Sequence, residues 1–463
     1  DHPLYGATIK ELDTDGWYDS EGIRHDAYAE GYKQTGFDGA TGTLRLYFQT
    51  VTAIKASKPY IVKWASGEDI TSPLFPFSEI DDSEPEFVEC NDNRVNFGGN
   101  YDPISSEDHV LYDENNTDNR SFHAGIFSHV EDWYTDAECN TPAATIPFNT
   151  STGQVTLYSK TVSRTVTAGS DWDNVSDGWA FIASPVVDEI SPRDVVGLIA
   201  DTVSQYDLYR LNPSDTKWEN YKAHEDFCLK NGMGYLYATK YATNLVFTGT
   251  FNTKDADTIP LSQGFNLVGN PFTVAANINK PYYTLNSDGS AVQTETSSEA
   301  IPPCHGVIVE ATSANDSVVF TRATQQSAVP SNSGLNIALT QANTRGASTG
   351  SAALLDNAII TFNEGCQLGK FYFGKQNANI YIPQGGEEYA IVSVGNGRDA
   401  ARNVSTNEVP LNFEAKADGT YTITVNPEGV QMAYLHLIDN MTGADVDLLA
   451  LRQAQGPASY TLD

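Results

Sequence analysis

Short runs in which apolar and polar residues alternate recur along this chain, and the clearest is Gln263–Phe272 (QGFNLVGNPF). Side chains alternate between faces of an extended chain, so Phe265, Leu267 and Gly269 share one face and Asn266, Val268 and Asn270 the other. Asp177–Val186 (DGWAFIASPV) repeats the plan in degenerate form, with Trp179, Phe181 and Ala183 on the first face. A glycine precedes the first aromatic in each run. Each run ends at a small or polar residue followed by proline, Ser184-Pro185 or Asn270-Pro271, which stops a strand.

The same periodicity organises the rest. Near the start, Thr43–Phe48 alternates, Lys58–Lys63 follows a turn, and Asn96–Pro103 reads as a strand running into a turn. Asp81–Glu86 and Asp113–Asn119 are acidic loops, Pro142–Gly153 is a connector, and Val155–Val166 alternates again. One helix is predicted: Ser191 caps it, Pro192 takes its first position, Asp194 sits in its first turn, and Val195, Leu198 and Ile199 share a face. Strand signals at Asp207–Asn212, Gly234–Ala238 and Asn244–Gly249 then reappear in the same order. Their counterparts are Tyr282–Asn286, Gly306–Val309 and Ser317–Arg322, which predicts an internal duplication with the helix missing from the second copy. Thr324–Ser351 is polar and places a domain boundary at its start, after which Ala358–Phe362, Lys370–Phe373, Asn379–Ile382, Tyr389–Val394, Val409–Phe413, Gly419–Val425 and Ala433–Ile438 alternate between turn signals. The expected fold is all-β, with tandem β-sandwich-like domains at 1–168, 169–323 and 324–463, the middle one internally duplicated.

Composition narrows the function. A chain of 463 residues is too long for one core, and its many Tyr and Phe against only 3 Met favour strands over helices. The net charge is −33 with no clusters of Lys or Arg, so nucleic acid is excluded as a partner. An acidic surface attracts divalent cations and keeps an exported protein soluble. No apolar run is long enough for a transmembrane segment. Asp1 follows no signal peptide, so a leader already removed or a trimmed chain is expected. The 5 cysteines form no CxxC; free or buried thiols are the favoured reading, with a Cys90–Cys139 bridge as the alternative.

Gly264–Pro271 (GFNLVGNP), Lys58–Ala65 (KPYIVKWA), Glu219–His224 (ENYKAH) and Tyr434–Gly443 (YLHLIDNMTG) resemble segments of secreted, surface-exposed proteins of Bacteroidetes, of the Bacteroides and Prevotella kind. The resemblance covers nearly the whole chain and implies a secreted or cell-surface location, but transfers no catalytic residue. It differs at both ends: the strand usual before Pro3–Ala7 is absent, and Leu451–Pro457 looks inserted. Within this resemblance Asp201–Val203, Asp257–Ile259 and Asp316–Val318 look like the Asp-Ser/Thr-aliphatic sites at which such organisms O-glycosylate exported proteins. Thr202, Thr258 and Ser317 are then the candidate O-glycosylation residues.

The remaining candidate chemistry is weak. Gly346–Gly350 matches a GxSxG nucleophile elbow but lies in a small, polar loop. His109, His123 and His129, with Cys139 beyond them, lack a spacing that would force convergence on a metal. Asp13–Asp19 and Asp171–Asp177 place carboxylates at alternate positions of acidic turns, as calcium favours, but Trp17 and Val175 occupy ligand positions. Acids are too abundant for any pair to single out glycoside hydrolysis. Among Trp17, Trp64, Trp133, Trp172, Trp179 and Trp218, Trp133 is the best exposed candidate for stacking on a sugar, and Trp179 is expected in the core.

These readings predict no catalytic residue, no cofactor beyond candidate calcium, and a non-enzymatic extracellular surface or structural protein. A homo-oligomer or filament built by strand donation is a candidate assembly. A secreted carbohydrate-binding or carbohydrate-active protein, with surface glycans as partners, is the alternative.

Overall fold

The computed structural model describes residues 4–54, 60–63, 88–90, 93–95, 133–143, 153–170, 172, 177–200, 202–213, 217–224, 227–297, 299–323, 333–341, 353–362, 365–373, 377–394, 408–430, 432–450 and 458–462. It divides into two compact units: residues 1–162 with 194–196 and 246–250, and the remainder of the chain.

The first unit holds β1 (Thr8–Leu12), β2 (Trp17–Tyr18), β3 (Arg24–His25), β4 (Gly36–Asp38), β5 (Thr43–Val51), β6 (Ile61–Lys63), β7 (Val88–Cys90), β8 (Asn93–Val95) and β9 (Gln154–Tyr158). Its organising strand is β5, which pairs antiparallel with β1, β4 and β9. Leu44 lies opposite Leu157 and Leu46 opposite Val155, and all four side chains are buried. Burying an aliphatic side chain is worth about 1.5–3 kcal/mol, so these cross-strand pairs hold the register.

The second unit begins with β10 (Thr161–Val166), whose first two residues belong to the first unit, and continues with β11 (Ala180–Ala183), β12 (Tyr206–Asn212), β13 (Lys217–Asn220), β14 (Gly234–Thr239) and β15 (Thr243–Thr248), whose last three residues belong to the first unit. A second series follows: β16 (Ala256–Pro260), β17 (Gly264–Gly269), β18 (Ala276–Ile278), β19 (Tyr282–Leu285), β20 (Val292–Glu295), β21 (Gly306–Ala311) and β22 (Ser317–Arg322). The sheet of the first series runs β11-β14-β12-β13 and that of the second β17-β21-β19-β20. With β11 matched to β17, β12 to β19, β13 to β20 and β14 to β21, the two orders are the same. Each series also has an outer pair, β10 with β15 and β16 with β22, the latter extended by β18.

The two sheets meet through reciprocal contacts. Ala183 N donates to Cys304 O at 3.0 Å, and Gly269 N donates to Gly232 O at 2.9 Å. Aligning the two series makes Ala183 the counterpart of Gly269 and Gly232 that of Cys304, so exchanging the copies exchanges the two bonds. The Ile182–His305 and Met233–Val268 bridges exchange in the same way. Even the backbone matches: Gly232 has φ +81° and Cys304 +61°. At the crossing the backbones approach so closely that a Cβ added to Gly269 would lie 2.3 Å from Ala183 Cβ and 2.6 Å from Met233 O.

The alternation along Phe265–Val268 is realised as two cores. Leu267 joins Phe181, Leu236 and Ile308 in one cluster, with Phe265 packed against it; Val268 joins Phe272, Val307 and Phe320 in another.

The remaining strands are β23 (Gly334–Gln341), β24 (Ala353–Thr361), β25 (Leu368–Gly369), β26 (Ala378–Gln384), β27 (Glu387–Ser393), β28 (Asn412–Ala415), β29 (Tyr421–Glu428), β30 (His436–Asp439), β31 (Ala444–Asp447) and β32 (Ala458–Leu462). An eight-stranded sheet runs β28-β26-β27-β24-β23-β29-β32, with β25 beside β27. Its pairings are antiparallel except for β24 with β27. One face buries Ile359, Ile391 and Phe371 in the cluster that contains Leu267; the other buries Ile337, Ile360, Ile380 and Val425 under Leu437 and Val446 of the β30–β31 hairpin. The fold is all-β, as its alternation predicts.

Two expectations need correction. The predicted helix at Ser191–Ile199 is only a 3-10 turn, Pro192–Asp194. Proline and the Ser191 cap do start a turn, with Arg193 N donating to Ser191 Oγ, but Val195 and Leu198 are buried, and Val196 instead bridges Val246. Tertiary burial therefore overrides a short local signal. The polar stretch Thr324–Ser351, in which no strand is predicted, contains β23, an interior strand pairing with both β24 and β29. Its Leu335, Ile337 and Leu339 alternate within a polar surround that conceals them.

Gly269→Val forces a side chain into the crossing and is expected to destabilise the protein by about 1–3 kcal/mol. In urea the denaturation midpoint falls, whereas Thr258→Val, at an exposed position of β16, leaves it nearly unchanged.

Candidate functional site

Two cavities in the second unit gather polar groups. The first, of about 260 Å³, is lined by residues that include Arg164, Thr165, Thr167, Trp179, Asp288 and His305. The strand β10 brings Arg164 over the crossing, where its Nη1 donates to Phe181 O at 2.5 Å and Cys304 O at 2.9 Å. These acceptors are backbone carbonyls, so the guanidinium keeps its full charge, and burial pushes its pKa down to about 10. His305 feels burial first and the Arg164 charge second, which together push it down to about 4. It is therefore neutral near pH 7, with Nδ1 2.8 Å from Pro303 O. The β19–β20 turn closes the wall: Asn286 Oδ1 accepts from Ser290 N and Ala291 N, and Asp288 O accepts from Gly178 N at 2.6 Å. A cation, hydroxyls and an indole together suit the binding of a small polar or anionic group.

The second cavity, of about 310 Å³, is lined by Glu295, Glu299 and Glu428 together with Asn336 and Thr361. Burial, reinforced by the charge of Glu299, raises Glu295 to about 7, although Gln293 Nε2 donates to its Oε1 at 2.9 Å.

The sequence candidates fall elsewhere. Thr258 and Ser317 come together on paired strands, Thr258 opposite Val319 and Ser317 opposite Pro260. Thr258 is exposed and Ser317 half-buried; Thr202 is exposed in a separate place, just before the 3-10 turn Val203–Gln205. The acids that precede two of these residues are already engaged: Asp257 accepts from Asn252 Nδ2 at 2.7 Å, and Asp316 from Lys280 Nζ at 2.8 Å.

In the acidic turn Asp13–Asp19, the carboxylates serve protein donors. Asp13 accepts from Gly16 N, Tyr18 Oη at 2.7 Å and Arg24 Nε at 2.6 Å. Burial alone would raise its pKa, but Tyr18 and Arg24 outweigh burial and hold it below the usual carboxylate range. Asp19 accepts from Glu21 N and Ile23 N and pairs with His25. Asp177 accepts from Ser170, and Asp171, Asp173 and Val175 lie outside the described residues. Among the described residues, no group of three or more His, Cys, Asp or Glu side chains is placed to hold a metal ion.

The expectation that Trp133 is exposed is overturned: it is 4 % exposed and meets Phe37 edge-to-face at 6.0 Å. Its acidic neighbours in the sequence hide a position that packing claims. The half-buried Trp17 instead forms an edge contact at 4.8 Å with the exposed Tyr28. Trp172 donates to Ser204 O at 2.9 Å. Trp218 and Trp179 pack against the Leu267 cluster, and Trp179 also lines the first cavity. Cys139, Cys304 and Cys366 are free thiols. The side chain of Cys90, together with Trp64, His109, His123, His129 and Gly346–Gly350, lies outside the described residues. Sequence reasoning passed over Arg164, His305 and Glu295, whose roles come from tertiary burial; a lone Arg in an apolar alternating strand was the only available signal.

Glu295 titrates with a folded pKa of about 7 against 4.5 for the free group. Because that pKa is raised, the stability it contributes is complete below pH 4.5 and is lost as pH rises through about 7. Relative to Glu295→Gln, the protein should lose about 3 kcal/mol as pH rises across this range, read by urea denaturation at stepped pH. A parallel pH dependence in the variant refutes this assignment. Compared with family models, curated proteins and solved structures, the chain matches none, so the chemistry of its site is read from these residues alone.

Proposed function

We propose that this chain is a non-enzymatic, extracellular surface protein whose role is structural. The supporting observation is the continuity of one apolar cluster through three sheets. Phe181 and Leu236 come from the first copy, Leu267, Tyr283 and Ile308 from the second, and Ile359, Phe371 and Ile391 from the C-terminal sheet. Polar ties reinforce it: Tyr283 Oη donates to Gly369 O at 2.5 Å and accepts from Phe371 N at 2.9 Å, and Asn357 exchanges hydrogen bonds with the backbone of Thr294 at 2.6 and 3.0 Å. Sheets fused in this way hold a fixed spacing under load, which suits a surface scaffold. In this reading Thr202, Thr258 and Ser317 carry O-glycans, and the outer edges of β28 and β32, the two strands that end the eight-stranded sheet among the described residues, are the places for strand addition between copies.

A second reading, carbohydrate binding, is favoured by the Arg164–Trp179 cavity and by the Trp17–Tyr28 pair, because indole and phenol rings stack on sugars. The two readings separate experimentally. For the structural role, protease treatment of intact source cells should release fragments of this chain, and native material should form oligomers or filaments by light scattering and electron microscopy, with and without chelator. A monomer in every condition, retained inside the cells, removes that role. Saturable binding on a glycan array, weakened at least tenfold by Trp179→Ala or Trp17→Ala, moves the assignment to the second reading.

A further inference from the structure

The eight-stranded sheet encloses an ion pair with no exposure to solvent: Lys370 Nζ lies 2.5 Å from Asp356 Oδ2, and both side chains are 0 % exposed. Asp356 stands on β24 on the same face as Ala358 and Ile360, and Lys370 follows β25. Two backbone donors fix the carboxylate, Asn357 N on Oδ1 at 2.9 Å and Ile380 N on Oδ2 at 2.8 Å. Lys370 Nζ faces the carboxylate directly.

We propose that Lys370 and Asp356 condense into an intramolecular amide, a covalent cross-link between their side chains. Charges are costly in a dry interior, and moving one proton from the ammonium to the carboxylate leaves an amine against a carboxylic acid. Burial acts on the pair in that sense, lowering Lys370 and raising Asp356. The Nζ lone pair attacks Asp356 Cγ, and the Cγ–N bond forms. Asn357 N and Ile380 N donate to the oxygens on which negative charge develops in the tetrahedral intermediate. The amine proton passes to the leaving oxygen, the Cγ–O bond breaks, and one water departs. No oxidant, reductant or cofactor takes part. The product is uncharged, and its carbonyl oxygen retains a backbone donor, so the step removes two buried charges. The link closes a ring over residues 14 positions apart. It would serve the proposed scaffold role but does not depend on it.

The test is the intact mass of the full chain, produced in a host without O-glycosylation, together with its tryptic map. The expected mass is the sequence mass less one water, with no cleavage after Lys370 and a branched peptide joining the segments that carry Lys370 and Asp356. The deficit persists after mild alkali, which hydrolyses a succinimide at an Asp-Gly pair but not an amide. Lys370→Met restores the full mass. A wild-type chain at full sequence mass, with cleavage after Lys370, overturns the proposal whether or not the variant folds. So does a deficit of one water that remains in Lys370→Met.

Discussion

The architecture of the second unit depends on one close backbone crossing. Ala183 N to Cys304 O and Gly269 N to Gly232 O tie the two four-stranded sheets together. Only a residue without a side chain fits at Gly269 against Ala183 and Met233. The crossing places Phe181 and Leu267 face to face in a shared core and brings the Arg164 guanidinium over the Phe181 and Cys304 carbonyls. Neither copy completes that core alone. The duplication is thus a physical requirement: each sheet supplies the apolar face that the other must bury.

Much of this was legible in the sequence because it follows from local rules. The alternation in Phe265–Val268, the glycine before each aromatic and the proline after each run identified the paired strands, and the repeated order of motifs identified the duplication. Signals failed where tertiary packing decides. Ser191 and Pro192 announce a helix that Val195 and Leu198 do not continue, because both are claimed by the core. Trp133 sits among acids in sequence yet packs inside. In β23, the residues Leu335, Ile337 and Leu339 were hidden by a polar surround. The candidate site was the least legible part: Arg164, His305 and Glu295 owe their character to burial by strands distant in sequence.

The polar interior is as organised as the apolar one. Asn357 pairs with the backbone of Thr294 as a strand would, and Asn270 Nδ2 donates to Val274 O, Ile301 O and Pro302 O. Asp356 takes two backbone donors besides Lys370. Buried polar groups are costly unless satisfied, so such residues discriminate strongly between the correct register and its neighbours. An apolar surface tolerates slippage by one residue far better than these fixed acceptors do.

The pairing of β23 with β29 sets a schedule for the chain. Thr340 and Thr422, whose side chain and backbone meet in that ladder, are 82 positions apart. Until the later strand has been made, β23 has one open edge, and Leu335, Ile337 and Leu339 lack Tyr421, Ile423 and Val425 as neighbours. Closing such distant contacts is slow because the entropy of the intervening loop is lost before the contacts reward it. Within each of the two four-stranded sheets the paired strands lie nearer in sequence. The β23–β29 edge therefore stays open longer than theirs while the chain is being made, and is the more exposed to pairing with another chain.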